Sequence, residues 1–127
     1  MGLIHQRPAE LRVRFDLARA AGGEMLVSAV AAFELWYGVA NSSRPEANAR
    51  RLQVFFAGPV ALLPFEEEDA RSAGRIRANL ESAGKFIGAY DLLIAGQAIR
   101  HNMILITANV REFGRVTGLT WEDWSRE

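Results

Sequence analysis

The sequence contains no cysteine, so it can form neither a disulfide nor a cysteine-ligated zinc site. Fifteen acidic side chains balance fifteen basic ones, which excludes attraction of a polyanion through overall charge. No apolar run approaches the roughly 18–20 residues that span a bilayer. The N-terminal residues MGLIHQRPAE lack the apolar core of a signal peptide. Together these absences predict a cytoplasmic protein that does not contact membranes.

What the chain does contain is enough apolar material for one core. Half of the 127 residues are hydrophobic and 24% are charged, which is typical of a globular protein. The length suits one folded unit, and no linker or internal repeat divides it. We therefore predict a single domain over residues 1–127.

Short apolar runs of strand length alternate with segments whose apolar residues have helical spacing. The predicted helices are PAELRVRFDLARAAGG (8–23), AVAAFELWYGVANS (29–42), RPEANARRLQVFFAG (44–58), residues 64 to about 83, and YDLLIAGQAIRHN (90–102). The predicted strands are EMLVS (24–28), VALLPF (60–65), MILIT (103–107) and, at an edge, LTWEDW (119–124). This alternation predicts an α/β fold with a mostly parallel sheet covered on both faces.

Two carboxylates lie inside strongly apolar helices. Asp91 opens the run YDLLIAGQA, where it is either a helix-start residue or a metal ligand at the carboxyl edge of the sheet. Local evidence favours the helix-start interpretation. Glu34 is different, because Ala31, Ala32 and Leu35 leave little polar face for it to occupy. For Glu34 we favour a functional role over simple exposure to solvent.

The segment TANVREF follows directly after the strand MILIT and carries two further candidates. Asn109 after a strand is usually a turn residue, and Glu112 lies close behind it. His5 and His101 lack metal-ligand spacing and are predicted to lie on the surface. With no phosphate-binding glycine loop and no Ser-His-Asp order, carboxylates remain, and their hard oxygens suit Mg²⁺ or Mn²⁺.

Three blocks in a fixed order carry a family resemblance. They are SAVAAFELWYGVANSSRPEAN, GRIRANLESAGKFIGAYDLLIAGQA and ILITANVREFGRVTGLTWEDW. This order resembles the PIN-domain ribonucleases, specifically the VapC-like toxins of toxin–antitoxin pairs, from about residue 9 to residue 124.

The resemblance implies a three-layer α/β/α fold whose parallel sheet carries an acidic cluster. In that family the cluster binds Mg²⁺ or Mn²⁺ and cleaves single-stranded RNA, a cognate VapB-like antitoxin blocks it, and the toxin forms a homodimer. By position, Glu34 and Asp91 are implied as metal ligands, and Glu34, Asp91, Asn109 and Glu112 as catalytic residues. Asp91 lies in Gly88-Ala89-Tyr90-Asp91, which matches the Gly-x-Tyr/Phe-Asp motif of the family.

One family feature is missing from the sequence. Members open with an apolar strand that ends in Asp-Thr-Asn, and no such motif is present here. We therefore expect the first, central strand to be absent and the acidic cluster to be one ligand short. Either the natural protein begins upstream, or the N-terminus is rearranged or borrows a strand from a partner.

Three functions remain open at this point. The first is a metal-dependent endoribonuclease toxin, with the basic residues Arg75, Arg77, Arg111 and Arg115 as candidates to meet phosphates. The second is a catalytically impaired module that dimerises and binds the antitoxin, with the aromatic pairs Trp36/Tyr37 and Phe55/Phe56 as candidate interface residues. The third is an unrelated α/β binding domain whose carboxylates only cap helices.

Overall fold

In the computed structural model, residues 2–5 and 25–123 are described. The strands are β1 (Gly2–His5), β2 (Met25–Ser28), β3 (Val60–Leu63), β4 (Ile104–Thr107) and β5 (Trp121–Glu122). The helices are α1 (Ala29–Ala40), α2 (Pro45–Ala57), α3 (Glu67–Ser82), α4 (Ala89–Arg100) and the single turn α5 (Val110–Phe113). The helix predicted at residues 8–23 lies outside the described residues.

The five strands form one parallel sheet in the order β3-β2-β1-β4-β5. Helices cover it to give the three-layer α/β/α architecture that the sequence predicts. α1 packs against α2, and α3 packs against α4. None of the helices in the described part of the chain is long and apolar enough to cross a membrane.

The prediction that the first, central strand is missing is wrong. β1 is the central strand, with Leu3 opposite Leu26 of β2 on one side and Leu105 of β4 on the other. Leu3 is fully buried and Ile4 nearly so, because a central parallel strand has both faces covered. A strand of four residues with two large apolar side chains is sufficient to form the centre of this sheet. The strand is present, and what it lacks is the family's terminal Asp-Thr-Asn.

The helix boundaries follow local signals in the sequence. Ser28 caps α1, accepting a 3.0 Å hydrogen bond from the backbone N–H of Val30. After α3 the chain turns at Gly84, whose φ of +72° is a left-handed conformation that glycine adopts without strain. These signals place the start of α1 and the end of α3 where the sequence predicts them.

α4 is fixed against α3 by close backbone contact at Gly96. A Cβ atom at this position would lie 2.5 Å from the backbone nitrogen of Ala73. Only a residue without a side chain permits this approach of the two helices. Because Asp91 lies in the first turn of α4, the contact also fixes the position of the helix that carries this carboxylate.

A buried polar group ties the far end of α4 to the connection between β3 and α3. The side-chain amide of Gln97 donates hydrogen bonds to the Pro64 carbonyl at 2.9 Å and to Asp69 Oδ2 at 3.4 Å. His101 Nε2 lies 3.5 Å from Asp69 Oδ1 and its side chain is 23% exposed, so the expected surface position is wrong. Asp69 also closes a capping box with Glu66 at the start of α3. This group is structural.

Candidate active site

The candidate site lies at the carboxyl edge of the sheet, where β1 and β4 end beside α1 and α4. Ligands of open parallel sheets bind at this edge, because the loops and helix starts that follow the strands converge there. The described residues that meet at this edge are His5, Glu34, Asp91, Asn109 and Glu112. All four residues named from the sequence are therefore brought together, and a histidine joins them.

His5 is the residue that sequence reasoning missed. Its Nε2 lies 3.5 Å from Glu34 Oε1 and 3.6 Å from Asp91 Oδ1, and its side chain is only 18% exposed. The predicted isolated surface position is wrong, because His5 is the last residue of β1 and faces the two acids. The available signal was the run Gly-Leu-Ile directly before it, which is a short strand.

The ring of His5 is held from two directions. Its Nδ1 lies 3.1 Å from Thr107 Oγ1 at the end of β4, which is the next strand in the sheet. The imidazole and Phe113 rings meet in a T-shaped arrangement, with centroids 5.2 Å apart. Thr107 and Phe113 are both fully buried, so the ring has a fixed orientation with Nε2 directed at the carboxylates.

Asp91 and Glu112 are hydrogen-bonded carboxyl groups, and each shifts the pKa of the other. Burial, followed by the hydrogen bond to Glu112, raises the pKa of Asp91 to about 7, while His5 acts in the opposite direction. The hydrogen bond with Asp91, followed by that from the Gly88 backbone N–H at 3.2 Å, lowers the pKa of Glu112. The pKa values of the two carboxyl groups therefore move apart, and Asp91 holds a proton more tightly than Glu112 does.

Asn109 fixes the orientation of Asp91. Its side-chain amide donates a 3.1 Å hydrogen bond to Asp91 Oδ2, while Oδ1 faces His5. The backbone N–H of Asn109 donates a 3.0 Å hydrogen bond to Thr107 Oγ1. Asn109 therefore also forms the turn that is expected after a strand. The N-cap of α4 is Gly88, and the side-chain oxygens of Asp91 contact the neighbouring side chains of the site.

The remaining acid, Glu34, has an oxygen without a hydrogen-bond partner. Its Oε1 is buried and lies 3.5 Å from His5 Nε2. A buried carboxylate oxygen without a donor is costly, and such an atom at a polar edge is chemically suited to a cation. Among residues 2–5 and 25–123, no group of three or more His, Cys, Asp or Glu side chains is arranged so that it could hold a metal ion. The carboxylate oxygens of Glu34 and Asp91 suit a divalent ion by their chemistry alone.

Two exposed aromatic rings flank the acids. Phe33 precedes Glu34, Tyr90 precedes Asp91, and the two rings meet edge-on with centroids 5.5 Å apart. Phe33 is 53% exposed and Tyr90 is 49% exposed. They form an apolar surface beside the carboxylates.

The candidate arginines occupy different surroundings. Arg115 Nη1 donates a 2.6 Å hydrogen bond to the Phe86 carbonyl, and its charge also helps to lower the pKa of Glu112. Arg77 pairs with Glu81 one turn further along α3, as on an ordinary solvated helix face. Of these two, Arg115 is the one associated with the site.

The sequence matches a known domain model and several characterised relatives. Residues 2–119 match the PIN domain. The chain is 39% identical over 122 residues to the tRNA(fMet)-specific endonuclease VapC of Shigella flexneri, covering 96% of this chain and 89% of that protein. It is 36% identical, with the same coverage, to Ribonuclease VapC2 of Haemophilus influenzae.

The fold is similar to solved toxin–antitoxin structures. VapBC2 from Rickettsia felis, bound to a DNA fragment from its promoter, matches with a TM-score of 0.87 and 30% identity over 98% of this chain and 99% of that chain. DNA-bound VapBC from Salmonella typhimurium matches with a TM-score of 0.85 and 31% identity over 97% of each chain.

Proposed function

The chain belongs to the PIN-domain family, and we propose that it is the ribonuclease toxin of a toxin–antitoxin pair. It cleaves single-stranded RNA and is neutralised by a cognate VapB-like antitoxin. The observation that carries the proposal is the meeting of Glu34, Asp91, Asn109 and Glu112 at one sheet edge. Similarity to VapC ribonucleases over 96% of the chain supports it.

Catalysis by this site depends on a divalent cation, Mg²⁺ or Mn²⁺, held by Glu34 and Asp91. Such an ion, when bound, supplies an activated water and neutralises charge on the phosphodiester. Glu34 contributes the oxygen that has no donor in this structure, and Asp91 contributes the oxygen that Asn109 leaves free. A cation held there would favour the ionised form of Asp91 and Glu112.

The other residues of the site position the two ligands. Asn109 holds Asp91 in one rotamer, and the Gly88 backbone N–H holds Glu112 within hydrogen-bond reach of Asp91. Glu112, whose pKa is lowered by Asp91 and by the Gly88 N–H, adds a negative charge beside the two ligands. The exposed rings of Phe33 and Tyr90 offer faces on which an unpaired base can stack, as single-stranded nucleic acids require.

A separate surface of this chain, on α1 and α2, is suited to protein partners. Trp36 stacks on Phe56 with ring centroids 6.2 Å apart, and both Trp36 and Tyr37 are exposed. Large exposed aromatic side chains on neighbouring helices are typical of protein interfaces. We assign the homodimer contact to this face and the antitoxin to the acidic edge.

A second function, an impaired module that dimerises and binds the antitoxin, is favoured by one observation. The sequence contains no Asp-Thr-Asn, so the aspartate that the family resemblance implies as a ligand is absent, and β1 ends in His5. The end of this strand instead presents an imidazole nitrogen 3.5 Å and 3.6 Å from two acids. If the absence of the aspartate abolishes catalysis, partner binding is what remains.

Cleavage of a single-stranded RNA by the full chain tests the proposal. We expect cleavage with Mg²⁺ or Mn²⁺, none with EDTA, and loss to background in Asp91→Asn and Glu34→Gln. Glu81→Gln is the matched control, because Glu81 is an exposed partner of Arg77 on α3 and should leave the rate unchanged. Equal rates in all four proteins would refute the metal-site assignment. No cleavage by any of them, with antitoxin binding intact, would establish the second function.

A further inference from the structure

We propose that the groove between α3 and α4 is a nucleotide subsite, where one unpaired base of the RNA stacks on Phe86 and a neighbouring phosphate lies beside Lys85 and Arg115. The inference rests on the proposed function, because the subsite serves the same RNA strand as the acidic site. It is separate from the aromatic pair Phe33 and Tyr90, which flanks the acids. The strand is thus held at two places.

The groove has an apolar floor and an aromatic wall. Leu80 of α3 and Leu92 of α4 are buried, and the ring of Phe86 is 66% exposed. The groove encloses about 420 Å³, part of it open to solvent, within the range of about 300–1,000 Å³ that small-ligand sites have. Unpaired bases stack on exposed aromatic rings, because every base has a flat π face. The shape of the groove therefore suits one base.

The rim of the groove carries a cation that is available to a phosphate. Lys85 is exposed, and no carboxylate in the described part of the chain forms an ion pair with it. Arg77 is paired with Glu81 at 2.9 Å, so this pair adds no net charge. Arg115 donates one hydrogen bond to the Phe86 carbonyl at 2.6 Å, and a guanidinium has five N–H donors. Two cations therefore flank the exposed ring, although the chain as a whole is neutral.

The turn that carries Lys85 and Phe86 is preorganised. The backbone N–H of Lys85 donates to the Leu80 carbonyl at 2.8 Å. That of Gly84 donates to the Glu81 carbonyl at 3.0 Å. With Gly84 in the left-handed conformation, these two bonds form the Schellman motif that ends α3. The backbone that bears the ring is therefore in place before RNA binds, which reduces the entropy lost on binding.

The groove is continuous with the acidic site. Ala89 lines the groove, and its neighbour Gly88 donates a 3.2 Å hydrogen bond to Glu112. Consecutive Cα atoms are about 3.8 Å apart, so the groove and the acids are separated by little more than one residue. A strand whose phosphodiester lies at the acids can therefore place a nearby base in the groove.

The competing occupant is an apolar segment of a protein. Such a segment would use the apolar floor, but it has no need of the two cations at the rim. A nucleotide uses both, because it combines a flat apolar face with a negative phosphate. Charge and continuity with the acidic site favour RNA.

The test is binding of a short, fluorescein-labelled single-stranded RNA of mixed sequence, followed by anisotropy with Mg²⁺. The parent protein is the full chain with Asp91→Asn, so that cleavage does not intervene. We expect Phe86→Leu to weaken binding about tenfold, because leucine is apolar but has no π face, and Phe86→Tyr to retain it. We expect Lys85→Gln to reduce the slope of log affinity against log salt concentration by about 0.7, the contribution of one phosphate contact. Arg71→Gln is the matched control, since this exposed arginine pairs with Glu67 on α3 and should change neither quantity.

A second measurement tests the contact between the ring and a base. A single abasic nucleotide is moved along the RNA. At one position it should weaken binding by the parent protein without weakening binding by Phe86→Leu any further. Additive losses at every position would mean that Phe86 stacks on no base and would overturn the inference.

An unchanged affinity in Phe86→Leu, or an RNA that does not bind the parent protein, would also overturn the inference. Loss of the homodimer or of antitoxin binding in Phe86→Leu, with RNA binding intact, would assign the groove to a protein instead. Circular dichroism shows whether each variant is folded, and Lys85→Gln provides an independent measurement if Phe86→Leu is not.

The two proposals fail separately. RNA binding through Phe86 without cleavage by the wild-type chain would refute the ribonuclease and leave the subsite. Cleavage with equal kcat/KM by wild type and Phe86→Leu would refute the subsite and leave the ribonuclease.

Discussion

Asn109 and Asp91 are joined by a 3.1 Å hydrogen bond from the Asn109 side-chain amide to Asp91 Oδ2. The bond connects the turn after β4 with the first turn of α4, two elements that are adjacent only at the carboxyl edge of the sheet. It uses one oxygen of Asp91 and leaves the other directed at His5. Asn109 therefore positions a candidate ligand.

Removing this donor is expected to weaken catalysis without unfolding the protein. We predict that Asn109→Ala lowers the rate of RNA cleavage about 10- to 100-fold, the usual effect of losing a residue that orients a metal ligand. The measurement is the initial cleavage rate at saturating metal. Asn79→Ala, at an exposed position on α3, is the control and should retain the full rate. A rate for Asn109→Ala equal to that of the control would contradict the positioning role.

The raised pKa of Asp91 predicts how the stability of the metal-free protein depends on pH. Folding raises this pKa from 3.8 to about 7, mainly through burial, so the folded state holds the proton more tightly than the unfolded state does. The stability from this group is complete below about pH 4 and is lost as the pH rises through 7. Asn cannot titrate, so Asp91→Asn lacks this dependence.

The measurement for this prediction is the free energy of unfolding in urea with EDTA, at pH 5, 6, 7 and 8. We expect wild type to lose stability relative to Asp91→Asn over this range. The lowered pKa of Glu112 acts below its ordinary value of 4.5 and so does not disturb the comparison. A difference between the two proteins that stays constant from pH 5 to 8 would show that Asp91 titrates normally.

Alanine substitutions at two glycines in the neighbouring helices α3 and α4 should change the free energy of unfolding in opposite directions. Gly96→Ala places a methyl group 2.5 Å from the Ala73 backbone nitrogen, and we expect a loss of about 1–3 kcal/mol in the free energy of unfolding. Gly74→Ala meets no atom within 4 Å and should stabilise α3 by up to about 1 kcal/mol. Urea unfolding of both variants checks the pair. Equal effects would mean that α3 and α4 do not pack this closely.

Most of the fold could be predicted from the sequence because its elements carry local signals. The start of α1 at Ser28 and the turn at Gly84 are determined by residues within a few positions. The only local signal in β1 is the short run Gly-Leu-Ile, and no cap or turn residue marks the strand. It has four residues, and its status as the central strand comes from pairing with β4, which lies about a hundred residues further along the chain.

Glu34, Asp91, Asn109 and Glu112 could be named from the sequence because the family resemblance identifies them by their order along the chain. His5 was missed for the same reason as β1. No spacing in the sequence connects His5 with Glu34 or Asp91, since parallel pairing of distant strands brings them together. The expectation of an absent strand depended on the missing Asp-Thr-Asn. The motif marks the end of the strand, whereas the strand itself forms through pairing with β2 and β4.

The central place of β1 has a consequence for synthesis. His5 and Thr107 touch across a sequence separation of 102 residues, and β1 receives its second neighbour only when Ile104–Thr107 has left the ribosome. Contacts of such separation form late, because the intervening chain must first be made and its loop entropy overcome. The carboxyl edge of the sheet therefore takes its final shape only after β4 has been synthesised, and a nascent chain that stops short of β4 has no assembled centre.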